Sequence, residues 1–171
     1  MDVKTFELLA RYNVWATKKL NESLEQVTDE DFNKECGLYF NSILGTLNHL
    51  LVGEHELWFR RFTNQISATF ALNAIIETNK NQLLKKLEIG SQAWIAFIDQ
   101  LDTKKFNQSL TYKTSKGQKM CLPYAATLLH VFNHGTHHRG QITAALTCMG
   151  YSCPALDLVY MLVEEKQIFL E

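Results

Sequence analysis

The chain has 171 residues, a net charge of −1, and 46% hydrophobic and 20% charged side chains, an ordinary balance for a globular chain long enough to bury a core. No long basic run marks a nucleic-acid or anionic-membrane surface, and no apolar stretch approaches the roughly 18 residues of a membrane span. The N-terminal MDVKTFELLARYNVW lacks a signal-peptide core, so a cytoplasmic protein without nucleic-acid or membrane partners is expected.

Two prolines and eight glycines leave long uninterrupted stretches that favour helices over a turn-rich β fold. Cys36, Cys121, Cys148 and Cys153 show no C-x-x-C spacing and read as reduced thiols rather than a disulfide framework or thiolate ligands. Nothing in the composition marks a linker, so residues 1–171 are expected to form a single domain.

Residues 3–26 place Phe6, Leu9, Ala10, Asn13, Val14, Ala16, Thr17, Leu20 and Leu24 near i, i+3, i+4 spacing, which predicts a first amphipathic helix. Thr28 and Asp31 have the spacing of a capping turn, and a loop through Gly37 leads on. A second helix is expected over about residues 41–63, capped by Asn41 or Ser42, with Ile43, Leu47, Leu50, Leu51, Leu57, Trp58 and Phe62 along one side. His49 falls nearly opposite that stripe at ~100° per residue, among Gly45, Thr46, Val52 and Gly53, with Glu56 two turns on. His55 lies closer to the apolar stripe, and periodicity does not choose between the two histidines as metal ligands.

A long third helix is predicted over residues 70–101, with Leu72, Ile75, Ile76, Leu83, Leu84, Leu87, Ile89, Trp94, Phe97, Ile98 and Leu101 on its buried side. Gln108 to Leu122 alternates, turns at Ser115-Lys116-Gly117 and alternates again, which predicts a small hairpin packed on the helices. Pro123 opens a fourth helix that Gly150 ends, and a short final helix follows Pro154, with Ala155, Leu158, Val159, Met161, Leu162 and Ile168 available to pack. The sum is an all-α fold, a four-helix bundle with a β-hairpin insertion before the fourth helix and a short C-terminal helix. Trp15, Trp58 and Trp94 read as core residues.

The fourth helix carries HVFNHGTHHRGQ, which puts four of the six histidines into residues 130–138. Leu128, Val131, Gly135, His138, Ile142, Ala145 and Met149 follow a 3,4 spacing that faces the core. His138 lies in this stripe and His134 at its edge, roughly 60° from its centre, whereas His130 and His137 fall roughly 100° to 120° away. Two imidazoles one turn apart can share a metal ion, so the inward pair is His134 and His138. His130 and His137 are placed at a rim, as candidates for proton transfer or substrate contact. Glu56 is a candidate base or hydrogen-bond acceptor near His49, and Asn133, Arg139 and Gln141 are candidates to orient ligands or hold a substrate anion.

ARYNVWATKKL, SILGTLNHLLVGEHELWFRRF, LLHVFNHGTHHRGQITAALTCMG and YSCPALDLVY together resemble the DinB/YfiT-like superfamily from end to end. Asn133-His134, followed by His138-Arg139-Gly140-Gln141, is the most distinctive part. The resemblance implies a four-helix bundle in which one histidine of the second helix and two of the fourth hold a divalent metal, carried over here as His49, His134 and His138. It thereby favours His49 over His55 and carries no role onto Glu54, His55 or Trp58.

The family is similar in fold to thiol-dependent enzymes, among them bacillithiol and mycothiol S-transferases and a maleylpyruvate isomerase. The resemblance also implies a homodimer and a small-molecule substrate. Three imidazoles leave a tetrahedral metal one open position, as in catalytic zinc sites. Zinc or nickel is expected, with copper and iron also compatible. The leading expectation is an S-transferase activating a low-molecular-weight thiol. The alternatives are a metal-dependent hydrolase and a non-enzymatic metal-binding or dimerisation module.

Overall fold

The computed structural model describes residues 2–64, 69–114 and 116–168. Helix α1 (Val3–Leu24) begins where the Asp2 carboxylate accepts from the Thr5 N–H, and a short α2 (Asp29–Asn33) is capped by Thr28, which accepts from the Asp31 N–H. The second long helix starts at Ile43, because Ser42 rather than Asn41 caps it by accepting from the Gly45 N–H. It runs without a break through α3 (Ile43–Leu50), a π-helical segment (Leu51–Phe59) and α4 (Arg60–Asn64).

The third long helix is shorter than its apolar spacing predicts. Helix α5 spans Lys80–Asp99, with Asn79 as its cap, while residues 69–79 run outside regular structure. Two local interactions outcompete helix there. Asn79 accepts from the Gln82 N–H and so fixes the start of α5. The fully buried Asn48 accepts from the Ile76 and Glu77 N–H groups and donates to the Glu77 carbonyl, giving that backbone the partners a helix would have supplied. Leu72 and Ile75, expected in the core, are consequently 53% and 47% exposed, and Ile89 is exposed as well.

A 3₁₀ turn (Thr103–Asn107) leads into β1 (Ser109–Lys113), which pairs antiparallel with β2 (Lys119–Pro123) in the register Ser109↔Pro123 to Lys113↔Lys119. Leu110 and Tyr112 alternate inward from β1. Ser115 of the expected turn, and the Ile168 side chain expected to pack, lie outside the described residues. Helix α6 (Tyr124–Cys148) follows Pro123 directly. It ends at Gly150, φ 82°, with the Tyr151 N–H bonded to the Leu146 carbonyl, the closure for which a residue without Cβ is favoured. Helix α7 (Leu158–Ile168) lies against α1, pinned where Trp15 Nε1 donates to Glu164 Oε2 at 2.8 Å.

The fold is therefore a four-helix bundle of α1, the α3–α4 helix, α5 and α6, with a two-stranded hairpin before the last. Its core is in two parts. Leu20, Leu24, Ile43, Leu47, Leu83, Leu87, Ile142 and Leu146 form one apolar cluster, and Phe6, Phe62, Trp94, Ile98, Leu128 and Phe132 belong to another. Along each helix the stretch between the two clusters is polar: Asn13 and Thr17, His49 and Glu54, Ser91, His138 and Arg139 are all buried there. Trp94 is fully buried as expected, whereas Trp15 and Trp58 are only partly covered. All four cysteines are free thiols, and among the described residues no helix is long and apolar enough to cross a membrane.

Candidate metal centre

In the polar layer, His49 of α3 meets His134 and His138 of α6, and one ring nitrogen from each lies within 4.8 Å of the others. His49 and His138 are 5% and 6% exposed, and His134 is half-buried. Two of the remaining nitrogens have hydrogen-bond partners. His49 Nδ1 lies 2.8 Å from the Leu72 carbonyl, so it is the protonated nitrogen and donates there. His138 Nδ1 lies 2.8 Å from Gln141 Oε1, and Gln141 Nε2 contacts His137 Nε2 at 3.2 Å. His134 Nδ1 faces Glu54 Oε1 at 3.9 Å. His49 and His138 thus turn Nε2, as the unprotonated nitrogen, toward the common point, and His134 turns its Nε2 to that of His49.

The donor set fits a first-row divalent cation. Zinc–imidazole bonds of about 2.0–2.1 Å at tetrahedral angles put ligating nitrogens roughly 3.3 Å apart. The 2.9 Å between His49 Nε2 and His134 Nε2 and the 4.8 Å bound on the group bracket that spacing. Burial pushes the His138 imidazole down to about 4 and holds His49 below its ordinary value, so both are neutral, as ligation requires. The Phe40 ring stacks on His49 with centroids 3.8 Å apart and lies 5.7 Å from that of His138, covering one side of the group.

The carboxylate that reaches this cluster is Glu54, not Glu56. In an unbroken α-helix Glu56, seven residues after His49, returns to the same face, and Glu54 lies about 140° away. The π-helical segment turns more slowly, since its bonds run i→i+5, and it carries Glu54 inward and Glu56 out. Glu56 instead pairs with Arg60 one turn on. Glu54 is 3% exposed. Burial raises its pKa, but His134, His55 and Arg139 more than offset that and hold the carboxyl below its usual range. His134 has the largest influence of the three, ahead of His55 and Arg139.

Arg139 is buried and donates from Nη1 to Asn13 Oδ1 at 2.6 Å, and Asn13 Nδ2 reaches Glu54 Oε2 at 3.4 Å. It therefore supports the centre from behind. His55 turns away from the three imidazoles, its Nε2 lying 4.0 Å from Glu54 Oε2, and packs over Gly90, where a Cβ would come within 2.5 Å of its ring. His130 and His137 stay exposed. The His130 ring lies 5.7 Å from that of His134 and 5.4 Å from Trp58, a rim position, and Asn133 is exposed. Sequence patterning misses Phe40 and Leu72, which come from irregular backbone without periodicity. For Glu54 the signal is hidden by the change of helix pitch.

The family model of the DinB family matches residues 1–167. Protein DinB of Bacillus subtilis (strain 168) is 29% identical over 155 residues, which covers 87% of this chain and 88% of that protein. Among solved structures, YfiT from Bacillus subtilis, described as a probable metal-dependent hydrolase with an unusual four-helix bundle topology, is 16% identical with a TM-score of 0.66. The likeness covers 89% of this chain and 91% of YfiT. A DinB-like protein from Bacillus cereus ATCC 10987 is 17% identical with a TM-score of 0.53, over 82% of this chain and 90% of that one. With the family model matched along nearly the whole sequence, the chain belongs to the DinB family.

Proposed function

We propose that the chain is a metal-dependent enzyme in which His49, His134 and His138 hold a divalent cation, zinc or nickel, and that it transfers a low-molecular-weight thiol to a small electrophilic substrate. The observation that carries the reading is the convergence of three imidazoles, each with its second nitrogen facing an acceptor. A bound cation supplies Lewis acidity, which lowers the pKa of whatever nucleophile occupies the remaining position. The likeness to YfiT favours a second reading, in which that nucleophile is water and the reaction is hydrolysis.

The chain's own residues do the positioning. The Leu72 carbonyl and Gln141 fix the tautomers of His49 and His138, and Glu54 Oε1 faces His134 Nδ1 at 3.9 Å. Phe40 restricts water on the face it covers. His130 and His137, exposed at the rim with rings 5.7 Å from His134 and 4.9 Å from His138, are the groups placed to exchange a proton with solvent. A homodimer in a single-domain, cytoplasmic protein completes the proposal.

Elemental analysis of purified protein beside a His134→Ala, His138→Ala variant tests the metal reading: about one equivalent is expected in the first and none in the second, and equal metal in both overturns it. Cobalt substitution followed by titration with cysteine, glutathione or bacillithiol then separates the two reactions. A shifted ligand-field spectrum supports the transferase, and an unchanged one removes it in favour of the hydrolase.

A further inference from the structure

Beside the imidazoles lies a cavity of about 500 Å³ whose walls include Tyr39, Phe40, Asn41, Leu72, Asn73 and Ile75. Among the described residues no carboxylate, amine, guanidinium or imidazole lines it. Its polar side-chain groups are the Tyr39 phenol and the amides of Asn41 and Asn73. Two of its walls also belong to the metal centre, since the Phe40 ring stacks on His49 and the Leu72 carbonyl binds His49 Nδ1. A molecule seated there touches the groups that fix one imidazole.

The cavity wall is shaped by a tight turn. Asn41 takes φ 69°, a left-handed conformation that asparagine adopts more readily than other side-chain-bearing residues. The turn is closed by the Asn41 N–H on the Leu38 carbonyl and the Cys36 N–H on the Asn41 carbonyl. Gly45 lets the Phe40 carbonyl press against the start of α3, where any Cβ would collide with it. The result leaves Tyr39, Leu72 and Ile75 82%, 53% and 47% exposed around one opening, with Tyr39 edge-on to Phe40 at 4.9 Å. Scattered apolar exposure is ordinary, but convergence on one concave surface next to polar chemistry is the pattern of a ligand site.

We infer that this cavity receives an uncharged aromatic group of the substrate, whose reacting atom then lies at the three imidazoles. Uncharged follows from a lining that offers no counter-ion, where a charge would be desolvated without compensation. Aromatic follows from the paired rings of Tyr39 and Phe40, which present both an edge and a face, and the volume suits a one- or two-ring group. The inference rests on the metal-centre reading for where the reacting atom sits.

The test uses prodan, an uncharged naphthalene fluorophore, titrated into zinc-supplemented protein. Variants Leu72→Asp and Ile75→Asp alter exposed side chains in the cavity, and Leu162→Asp alters an exposed apolar residue on α7. Saturable blue-shifted emission is expected for the wild type and Leu162→Asp, with at least tenfold weaker binding in both cavity variants. Benzyl alcohol should displace the probe at least tenfold better than benzoate. Equal probe binding in all four proteins, or better displacement by benzoate, overturns the pocket. So does a wild-type dimer, seen by sedimentation, that Leu72→Asp and Ile75→Asp dissociate, since the face is then covered by a second copy. Zinc measured on the same samples keeps the two readings apart: probe binding lost with zinc retained supports the pocket, and probe binding intact in a wild type without zinc defeats the metal reading alone.

Discussion

Replacing Glu54 by glutamine removes one charge from the buried layer and leaves the shape almost unchanged. Glu54 Oε1 lies 3.9 Å from His134 Nδ1, and His134, His55 and Arg139 together hold the carboxyl below its usual range despite its burial. An anion on the far side of an imidazole raises the basicity of the ligating nitrogen and fixes the ring, and loss of such a partner typically weakens metal affinity 10- to 100-fold, about 1.4–2.7 kcal/mol. Glutamine can still present a carbonyl to Nδ1–H, so the expected loss for Glu54→Gln is near tenfold. Glu54→Leu, which abolishes the acceptor, is expected near 100-fold.

The measurement is zinc affinity by competition with a chromophoric chelator, on variants shown by circular dichroism to be folded. That control matters because breaking a buried charge set can cost about 3–5 kcal/mol of stability. Glu56→Gln is the comparison, since Glu56 pairs with Arg60 at the surface and its loss should leave affinity within twofold. If Glu54→Gln binds zinc as the wild type does, or Glu56→Gln loses as much, the assignment of the π-helical segment as the carrier of the supporting carboxylate is wrong.

Gly90→Ala should destabilise the protein by about 1–3 kcal/mol, as overpacking does, because its Cβ would meet the buried His55 ring at 2.5 Å. Gly140→Ala, also helical but with nothing within 4 Å of the new Cβ, should stabilise by about 0.5–1 kcal/mol. Urea denaturation of the pair reads both signs, and equal signs refute the packing. Chelator-treated protein should lose stability on acidification. His49, His55 and His138 are held below the ordinary imidazole value of 6.5 chiefly by burial, His138 at about 4, so the unfolded chain binds more protons over that window. Stability is then fully present above pH 6.5 and falls progressively toward pH 4, and a flat urea midpoint across that range contradicts the burial. Zinc at 100 times its dissociation constant should add about 2.7 kcal/mol, a rise of roughly 5–10 °C in Tm for a chain of this length. No shift in a thermal melt argues against binding to the folded state.

The long helices were legible because each carries apolar residues on a 3,4 rhythm, and the inward pair His134 and His138 follows from that rhythm on α6. The same rhythm misled at residues 70–79, where Leu72, Ile75 and Ile76 imitate a buried face. There the backbone is claimed by Asn48, 28 residues upstream of Ile76, and a periodicity count does not see a long-range partner. His49 was not separable from His55 by spacing; resemblance to the family favoured it, and the π-helical segment explains why the count failed. A change from i→i+4 to i→i+5 bonding leaves no compositional mark, yet it reassigns every side chain beyond Leu50 to a new direction. The residues most affected are Glu54 and Glu56, whose placement relative to the imidazoles the helical count reverses.

The polar layer is not what a fold selected for stability alone would contain. Glu54 Oε1, His55 Nδ1, His134 Nδ1 and two nitrogens of Arg139 are buried without a hydrogen-bond partner among the described residues, and such groups each cost about 1–3 kcal/mol. Glycine stands at two places where these side chains pass closely. A Cβ at Gly53 would press on His134 at 3.3 Å, and one at Gly135 would meet Glu54 Oε1 at 2.5 Å and Arg139 at 2.9 Å. Helix glycines cost roughly 0.5–1 kcal/mol each relative to alanine, and a leucine layer would remove both penalties. Two apolar clusters at either end of the bundle offset this cost and keep the helices in register. The layer between them is therefore free to hold Glu54 Oε1 3.9 Å behind His134 Nδ1, where its carboxylate would orient that imidazole if it held a cation.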